Sequence, residues 1–485
     1  MTIDDTRATA VAAEWVRELR DALAGDVLAP GDPGYDDARR VWNGIIDRHP
    51  AAIARCASVA DVRAAVRIAG RRRPAAVTIR GGGHQVAGTA VCDDGLVIDL
   101  SFLTHVTVDP VARTARMQGG ARWSDVDRAT QRYGLATTGG EASITGVAGL
   151  TLGGGMGLLQ RAYGLACDNL RSIEIVTADG QLRKASREQH PELFWAARGA
   201  GRGLGVVTSF EFDLHEFGPD VAVAQVLYPY EDAEAGLRAW RDAVLAAPET
   251  VSPEAILWSI PPDPSVPAEL HGVKVFIAAG VYAGDPADAA ETLAPYARLG
   301  TPIIDQGGTL PYVEVQSALD ELVPDGGRYY FKSHNLDELT DDAIATLVAC
   351  DRERPNPETL IAIRTLGGAI DRVTLDESAY PHRGAAFNLS IDAIWSDPAD
   401  DERVIGWARS TWQAMSPYAN GGVYLNFAGL EDEADSTDRR RTGLTWGGSS
   451  ECWRNTTQKD CSEVPPGDRD DSLHSARKMA VWCLG

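Results

Sequence analysis

The residues whose types and spacing best suit chemistry begin at "VTIRGGGHQVAG", residues 77–88, where three glycines and a histidine, His84, follow a strand-like run. Glycines let a backbone approach a ligand closely, and successive backbone N–H groups in such turns can cradle phosphate. A second run, "GGEASITGVAGLTLGGGMGLLQRAYGLACDNL", spans residues 139–170 and carries eight glycines in its first nineteen residues. Further along stand Tyr330 and Lys332 in "RYYFKS", Arg364 in "AIRTLGG", His382 in "AYPHR", and Tyr424 and Asn426 in "YLNF". Side chains two apart on a strand share a face, so Tyr330 pairs with Lys332 and Tyr424 with Asn426. Each of these side chains taken singly has a packing role as an alternative.

Three local readings compete for residues 80–88. A dinucleotide fingerprint needs its glycines to open a helix within a parallel βαβ unit. Here "TAVCDDGLVIDLS" follows, which reads as turn and strand. A phosphate loop needs GK[ST] after its glycines, and that is absent. A hairpin with glycines at positive φ and an exposed His84 stays open. Two such runs close together favour backbone approach to a large, flat, phosphate-bearing ligand.

The elements that must position these groups follow from periodicity. Residues 8–24 read as an amphipathic helix stopped near Gly25. From about 50 to 215 short strands such as "AAVTIR", "LVIDLS", "IEIVTADG" and "GVVTSFEFDL" alternate with helices such as "ARWSDVDRATQRYG". "EFGPD", residues 216–220, marks a boundary. Residues 220–420 mix strands such as "KVFIAAGVYAG" and "TLIAIRTLGG" with helices such as "DAEAGLRAWRDAVLAA", and "GGVYLNFAG" reads as a last strand. The expected fold class is α+β in two domains.

Composition bounds the function. The 485 residues are 44% hydrophobic and 24% charged, enough for two cores. A net charge of −23 opposes binding to nucleic acid or anionic membrane. No membrane span or secretory leader is expected. Seven scattered cysteines fit a reducing cytoplasm, and no His/Cys set has zinc spacing.

The motifs "RGGGHQVAG", "GLVIDLS", "GLTLGGGMGLLQRAYGLACDNL", "VTADG", "ELFWAARGAGRGLGVVTSFEFDL", "RYYFKS", "LGGAI", "AYPHR" and "YLNF" occur in an order that resembles the berberine-bridge-enzyme type of FAD-linked oxidases, within the vanillyl-alcohol-oxidase superfamily, over residues 28–430. The resemblance implies a PCMH-type FAD domain over 30–216, after an N-terminal helix in 1–29. It implies a substrate domain with an antiparallel sheet covered by helices over 217–420, and a return strand over 421–435. It implies FAD held by Arg80, Gly81, Gly82, Gly83, His84, Gln85 and Gly88, and by Gly140, Thr145, Gly146, Gly149, Leu150 and Gly155. Gly164, Leu165, Asp168, Gly205, Val206 and Val207 complete that set. It implies a covalent flavin bond to His84. Relatives with a second tether place a cysteine where this chain has Ala142, and Cys167 lies too far along, so a single link is expected. The same alignment implies that Thr145 lies near flavin N5, with capping of its own turn as the alternative role.

On the substrate side the resemblance implies Tyr330, Lys332, Arg364, Tyr424 and Asn426 as the catalytic set. Relatives often carry an acid or amide where Arg364 stands. An arginine stays charged and cannot act as a base; facing the cavity it would bind an anion or ionise a phenol. The implied activity is oxidation of a small aromatic, phenolic or hydroquinone secondary metabolite with O2 as acceptor, in antibiotic biosynthesis or resistance of the bacterial branch. The alternatives are a dehydrogenase using another acceptor, or a non-catalytic drug-sequestering flavoprotein. The partners implied are a small molecule and O2, with a monomer or homodimer.

Residues 436–485 change texture, holding three of the seven cysteines and three of the twelve tryptophans. Back-translation from Asp435, with each codon started at the third base of the preceding one, restores a family-like ending for residues 436–460. A reading-frame shift near Ser436 is therefore expected, and no functional residue is assigned after 430.

Overall fold

The computed structural model describes residues 14–200, 203–262, 266–427 and 429–430, so the segment 436–485 lies outside the described residues. Residues 14–22 are helical, inside the helix expected over 8–24. The architecture is mixed α+β. Among the described residues no helix is long and apolar enough to cross a membrane.

Two sheets carry the glycine loops. The first has four strands in the order Val27–Leu28, Ala52–Arg55, Leu96–Asp99, Val77–Arg80. Its Val77–Arg80 and Leu96–Asp99 strands run parallel, with Arg80 opposite Asp99, so residues 81–95 form a crossover loop and the hairpin alternative falls. The helix Val59–Arg72 covers this sheet. The Ser58 side chain accepts the Asp61 N–H at its start, and Arg73 ends it with φ 48°. The second sheet is antiparallel, in the order Val106–Asp109, Thr114–Gln118, Val206–Asp213, Leu170–Val176, Leu182–Ser186.

The largest sheet has eight antiparallel strands, all between residues 220 and 395. Its central order is Asp220–Pro229, Lys274–Tyr282, Val251–Ser259, Leu360–Thr365, Phe387–Trp395, Arg328–Leu336. One face is covered by the helices Ala233–Leu245, Asp341–Arg352 and Asp401–Met415. Leu237, Trp240 and Val244, three and four residues apart, bury one stripe of the first helix there. Strict alternation sets what the other face shows. Along Val251–Ser259, Val251, Ala255 and Leu257 join the core. Ser252, Glu254, Ile256 and Trp258 face a cavity.

The strand expected at 421–429 is not one. Residues Leu425–Phe427 form a 3-10 turn. This segment crosses the layers, and its polar groups find single partners in place of a ladder: Asn335 N–H donates to Gly422 O at 2.9 Å, and Tyr424 N–H donates to Ser333 Oγ at 2.9 Å. Isolated bonds of this kind set no repeating register.

Candidate active site

A cavity of about 700 Å³ lies between the two glycine runs and the open face of the large sheet. Its floor is largely backbone. Gly81, Gly82, Gly83, Gly140, Gly146, Gly149 and Gly205 all line it, with His84, Gln85, Thr145, Leu150 and Val207. The two runs touch directly: a Cβ on Gly82 would sit 2.5 Å from Gly146 Cα. Only glycine permits that approach. At Gly149 an added Cβ would meet nothing within 4 Å.

His84 is the chemically distinctive side chain of this floor. Its ring stacks on Trp42 at 4.1 Å, and Trp42 stacks in turn on Tyr329 at 3.6 Å. Trp42 is fixed by donating from Nε1 to Val323 O at 2.8 Å. The Nε2 of His84 is buried with no hydrogen-bond partner, as are both polar atoms of Gln85. Burial first, then the positive charge of Arg122, lowers the His84 pKa to about 3. The imidazole is therefore neutral at physiological pH. Buried polar atoms without partners are uncommon and point to a missing ligand. Together with the backbone-lined floor they fit FAD.

The rest of the expected cofactor set lies behind this wall and does structural work. Arg80 bonds Asp99 and the carbonyls of Ala38 and Arg40. Gly88 turns with φ 68° beside Ile46, and Gly155, φ 90°, packs on Ala166. Gly164 ends the helix Gln160–Tyr163 with φ 81°. Leu165 and Val206 are core. Asp168 accepts the Leu165 N–H at 3.0 Å and pairs with Arg383. Ala142 lines the cavity, whereas Cys167 is buried next to Asp168.

The substrate-side expectations divide. Tyr330 and Lys332 share a face, as their spacing requires, but it is the face packed on the helix Asp401–Met415. Tyr330 joins that core, and the Lys332 ammonium lies 5.1 Å over the Trp412 ring. Phe331 between them lines the cavity. The alternation was right and the face was wrong, because three apolar rings, Tyr330, Trp395 and Trp412, were needed to seal the helix against the sheet. His382 also lies off the cavity wall, edge-on to Tyr380.

Tyr424 and Asn426 do line the cavity, though not by strand alternation. The Tyr424 hydroxyl accepts the Met156 N–H at 2.8 Å and Asn426 Nδ2 at 2.9 Å. Asn426 Nδ2 also donates to Leu150 O at 3.0 Å. A Cβ on Gly153 would lie 2.2 Å from Asn426 Oδ1, so that glycine admits the amide. Burial pushes the Tyr424 phenol up to about 12.

Arg364 faces the cavity but is not a free cation. Its Nε and Nη2 donate to the two oxygens of Glu141, each at 2.7 Å, and Nη1 donates to Ser390 Oγ at 2.7 Å. Glu254, opposite it on the next strand, approaches Nη2 at 3.3 Å. Ser390 Oγ passes its own hydrogen to Asp392 Oδ2 at 3.1 Å. The other Asp392 oxygen, Oδ1, is buried without a partner. Burial raises the Asp392 pKa to about 6, and burial followed by the charge of Glu141 raises that of Glu254. The expectation that Arg364 would ionise a phenol is corrected: each of its three nitrogens already has an acceptor, and its charge is already met by Glu141.

Sequence reasoning passed over Trp42, Glu141, Glu254, Phe331 and Asp392. Two of these carried a local signal. "SPEAILW" and "LSIDAIW" each set one carboxylate in an otherwise apolar strand, a costly placement unless the face meets a polar cavity. Glu141 had none, since its partner stands 223 residues away.

A model of the FAD binding domain matches residues 50–186. The FAD-linked oxidoreductase hasG of Aspergillus fumigatus is 31% identical over 345 residues, 67% of this chain and 69% of that protein. YgaK of Bacillus subtilis, an uncharacterised FAD-linked oxidoreductase, is 29% identical over 416 residues, 84% of this chain and 89% of its own. Among solved structures, 6-hydroxy-D-nicotine oxidase from Arthrobacter nicotinovorans matches with a TM-score of 0.75 at 26% identity, covering 86% of this chain and 92% of that one.

Proposed function

Because the chain belongs to the FAD-linked oxidoreductases, we propose that it is an oxidase which removes two electrons and two protons from a small, largely apolar, aromatic secondary metabolite and passes them to O2, giving H2O2. FAD, when bound, supplies the two-electron acceptor between substrate and oxygen. The observation that carries the reading is one cavity walled on one side by Gly81–Gly83, Gly146 and His84, and on the other by the substrate sheet. The glycines would hold the cofactor by close backbone approach. His84 would carry its single covalent link, since a neutral, buried Nε2 keeps its lone pair for bonding. Ile256, Trp258, Phe331, Leu360 and Ile394 would exclude water and hold an apolar substrate body. Asp392, a cavity-lining carboxylate with one unpaired buried oxygen, would be the group to accept a proton.

Purified protein should be yellow, and its acid-precipitated pellet should stay yellow. A colourless pellet with FAD in the supernatant overturns the His84 link. A screen of small aromatic metabolites, followed by oxygen electrode and peroxide assay, tests the oxidase reading. Flavin bleaching by substrate that is not reversed by air would make the protein a dehydrogenase.

A further inference from the structure

Residues 42–44 form a strap between the first glycine turn and the large sheet. Trp42 N–H donates to Gly83 O at 3.1 Å, and Asn43 Nδ2 donates to Val86 O at 2.7 Å, so the strap grips the turn on both sides of His84. On the sheet side Asn43 Nδ2 donates to Tyr329 O at 2.8 Å, and Asn43 Oδ1 accepts the Tyr329 N–H at 3.1 Å. Gly44 N–H donates to Gly327 O at 2.7 Å. Inside this frame three rings stack. His84 lies on Trp42 with 17° between their planes, and Trp42 lies on Tyr329 with 11°. Phe331 closes the stack edge-on, 6.1 Å from Trp42. Asn43 and Tyr329 are fully buried, whereas Trp42 and His84 both line the cavity. An imidazole hangs on two torsions, and its second torsion is broad unless a flat neighbour fixes it.

We propose that Trp42 is the positioning residue for attachment of the flavin to His84, and that the stack ties this attachment to docking of the substrate sheet. The inference rests on the His84 link and concerns what lets the link form. The bond joins a ring nitrogen of His84 to the carbon of the flavin C8 methyl group. One methyl hydrogen and the imidazole N–H hydrogen leave as protons. The electron pair released stays on the flavin ring system until O2 takes it with two protons, giving H2O2. The nitrogen lone pair lies in the imidazole plane, so the bond forms only where that plane contains the methyl carbon. Trp42, nearly parallel to the imidazole, sets that plane. Trp42 is backed in turn by Tyr329, which belongs to the strand Arg328–Leu336 of the large sheet. Until that strand docks, the strap has no partner at residues 327 and 329, and the imidazole plane is unset. A tryptophan that only packed would govern FAD binding and FAD attachment together. One that positions His84 separates the two.

The test adds FAD to the full chain purified from riboflavin-starved cells and follows two quantities in time: total bound flavin, from the absorbance of the native protein, and attached flavin, which survives acid precipitation. Trp42→Leu fills the space without a flat face. It should still bind FAD but attach it about tenfold or more slower than the wild type, since a misaligned nucleophile loses at least that factor. Trp42→Phe restores a flat ring and should attach flavin at least about threefold faster than Trp42→Leu. A smaller slowing in Trp42→Leu overturns the proposal, and so does a Trp42→Phe variant that fails to exceed it by that margin. Tyr329→Leu leaves both stacked partners of the inner pair in place and tests the tie to the sheet; it also decides the matter if Trp42→Leu does not fold. Its attachment should slow by about threefold or more, and a smaller effect overturns the tie. Wild-type protein that binds FAD but never attaches it overturns the His84 link itself. Wild-type protein that attaches FAD, with every variant keeping pace, leaves the link standing and overturns this inference alone.

Discussion

Replacing Glu141 by Gln tests the bridge between the glycine loop and the substrate sheet. Glu141 accepts two Arg364 N–H bonds at 2.7 Å, from a residue 223 positions away. A hydrogen bond to a charged partner contributes about 1.5–3 kcal/mol net. Gln keeps one acceptor oxygen and turns an NH2 group towards the guanidinium, so one bond is lost and the other loses its charge. Against this, Glu254 lies 3.3 Å from Nη2 and is held back from ionising partly by Glu141. Removing that charge lets Glu254 ionise and recover part of the loss, which leaves a net destabilisation of roughly 2 kcal/mol. Arg364→Gln should cost more, about 3–5 kcal/mol, because it strands buried carboxylates without their cation. Urea unfolding of the wild type, both single variants and the double variant gives the coupling directly; urea is preferred because guanidinium chloride is itself a salt. The expected coupling is about 2 kcal/mol, and a value below about 0.5 kcal/mol would refute the claim that this pair ties the two halves together.

Three further outcomes follow from the same geometry. An ordinary imidazole of pKa 6.5 is about 3% neutral at pH 5, whereas His84, at about 3, is about 99% neutral. Covalent flavin uptake by apoprotein, read by in-gel fluorescence, should therefore change less than about threefold between pH 7.5 and 5; a thirtyfold fall would show that His84 titrates normally. The Asp392 pKa is raised from 3.8 to about 6, so its contribution to stability is fully present below 3.8 and lost as pH rises through 6. Asp392→Asn should lack that decline, a difference of about 3 kcal/mol across the window, and parallel stability–pH curves would contradict it. Phe331→Ala should raise KM for the substrate, while Tyr330→Phe should leave kcat and KM within about twofold; the reverse pattern would mean that the opposite strand face meets the substrate.

The sequence by itself determined the local chemistry. Two glycine runs favoured close backbone approach over glycine-tolerant turns, and Gly82 and Gly146 do meet backbone to backbone. His84 was legible from its place at the end of the first run. Strand periodicity correctly grouped Tyr330 with Lys332. It could not decide which face of that strand turns to the cavity, because both faces are buried and the choice depends on the helix Asp401–Met415 arriving to cover one of them. The "YLNF" segment looked like a strand because its apolar and polar residues alternate. Its actual turn is imposed by partners at Asn335, Ser333 and Met156, far away in the chain. Arg364 was identified by type, yet its role was inverted by tertiary structure. A guanidinium's availability depends on what already accepts its donors, and Glu141, Glu254 and Ser390 come from a loop and two other strands that only the fold brings together.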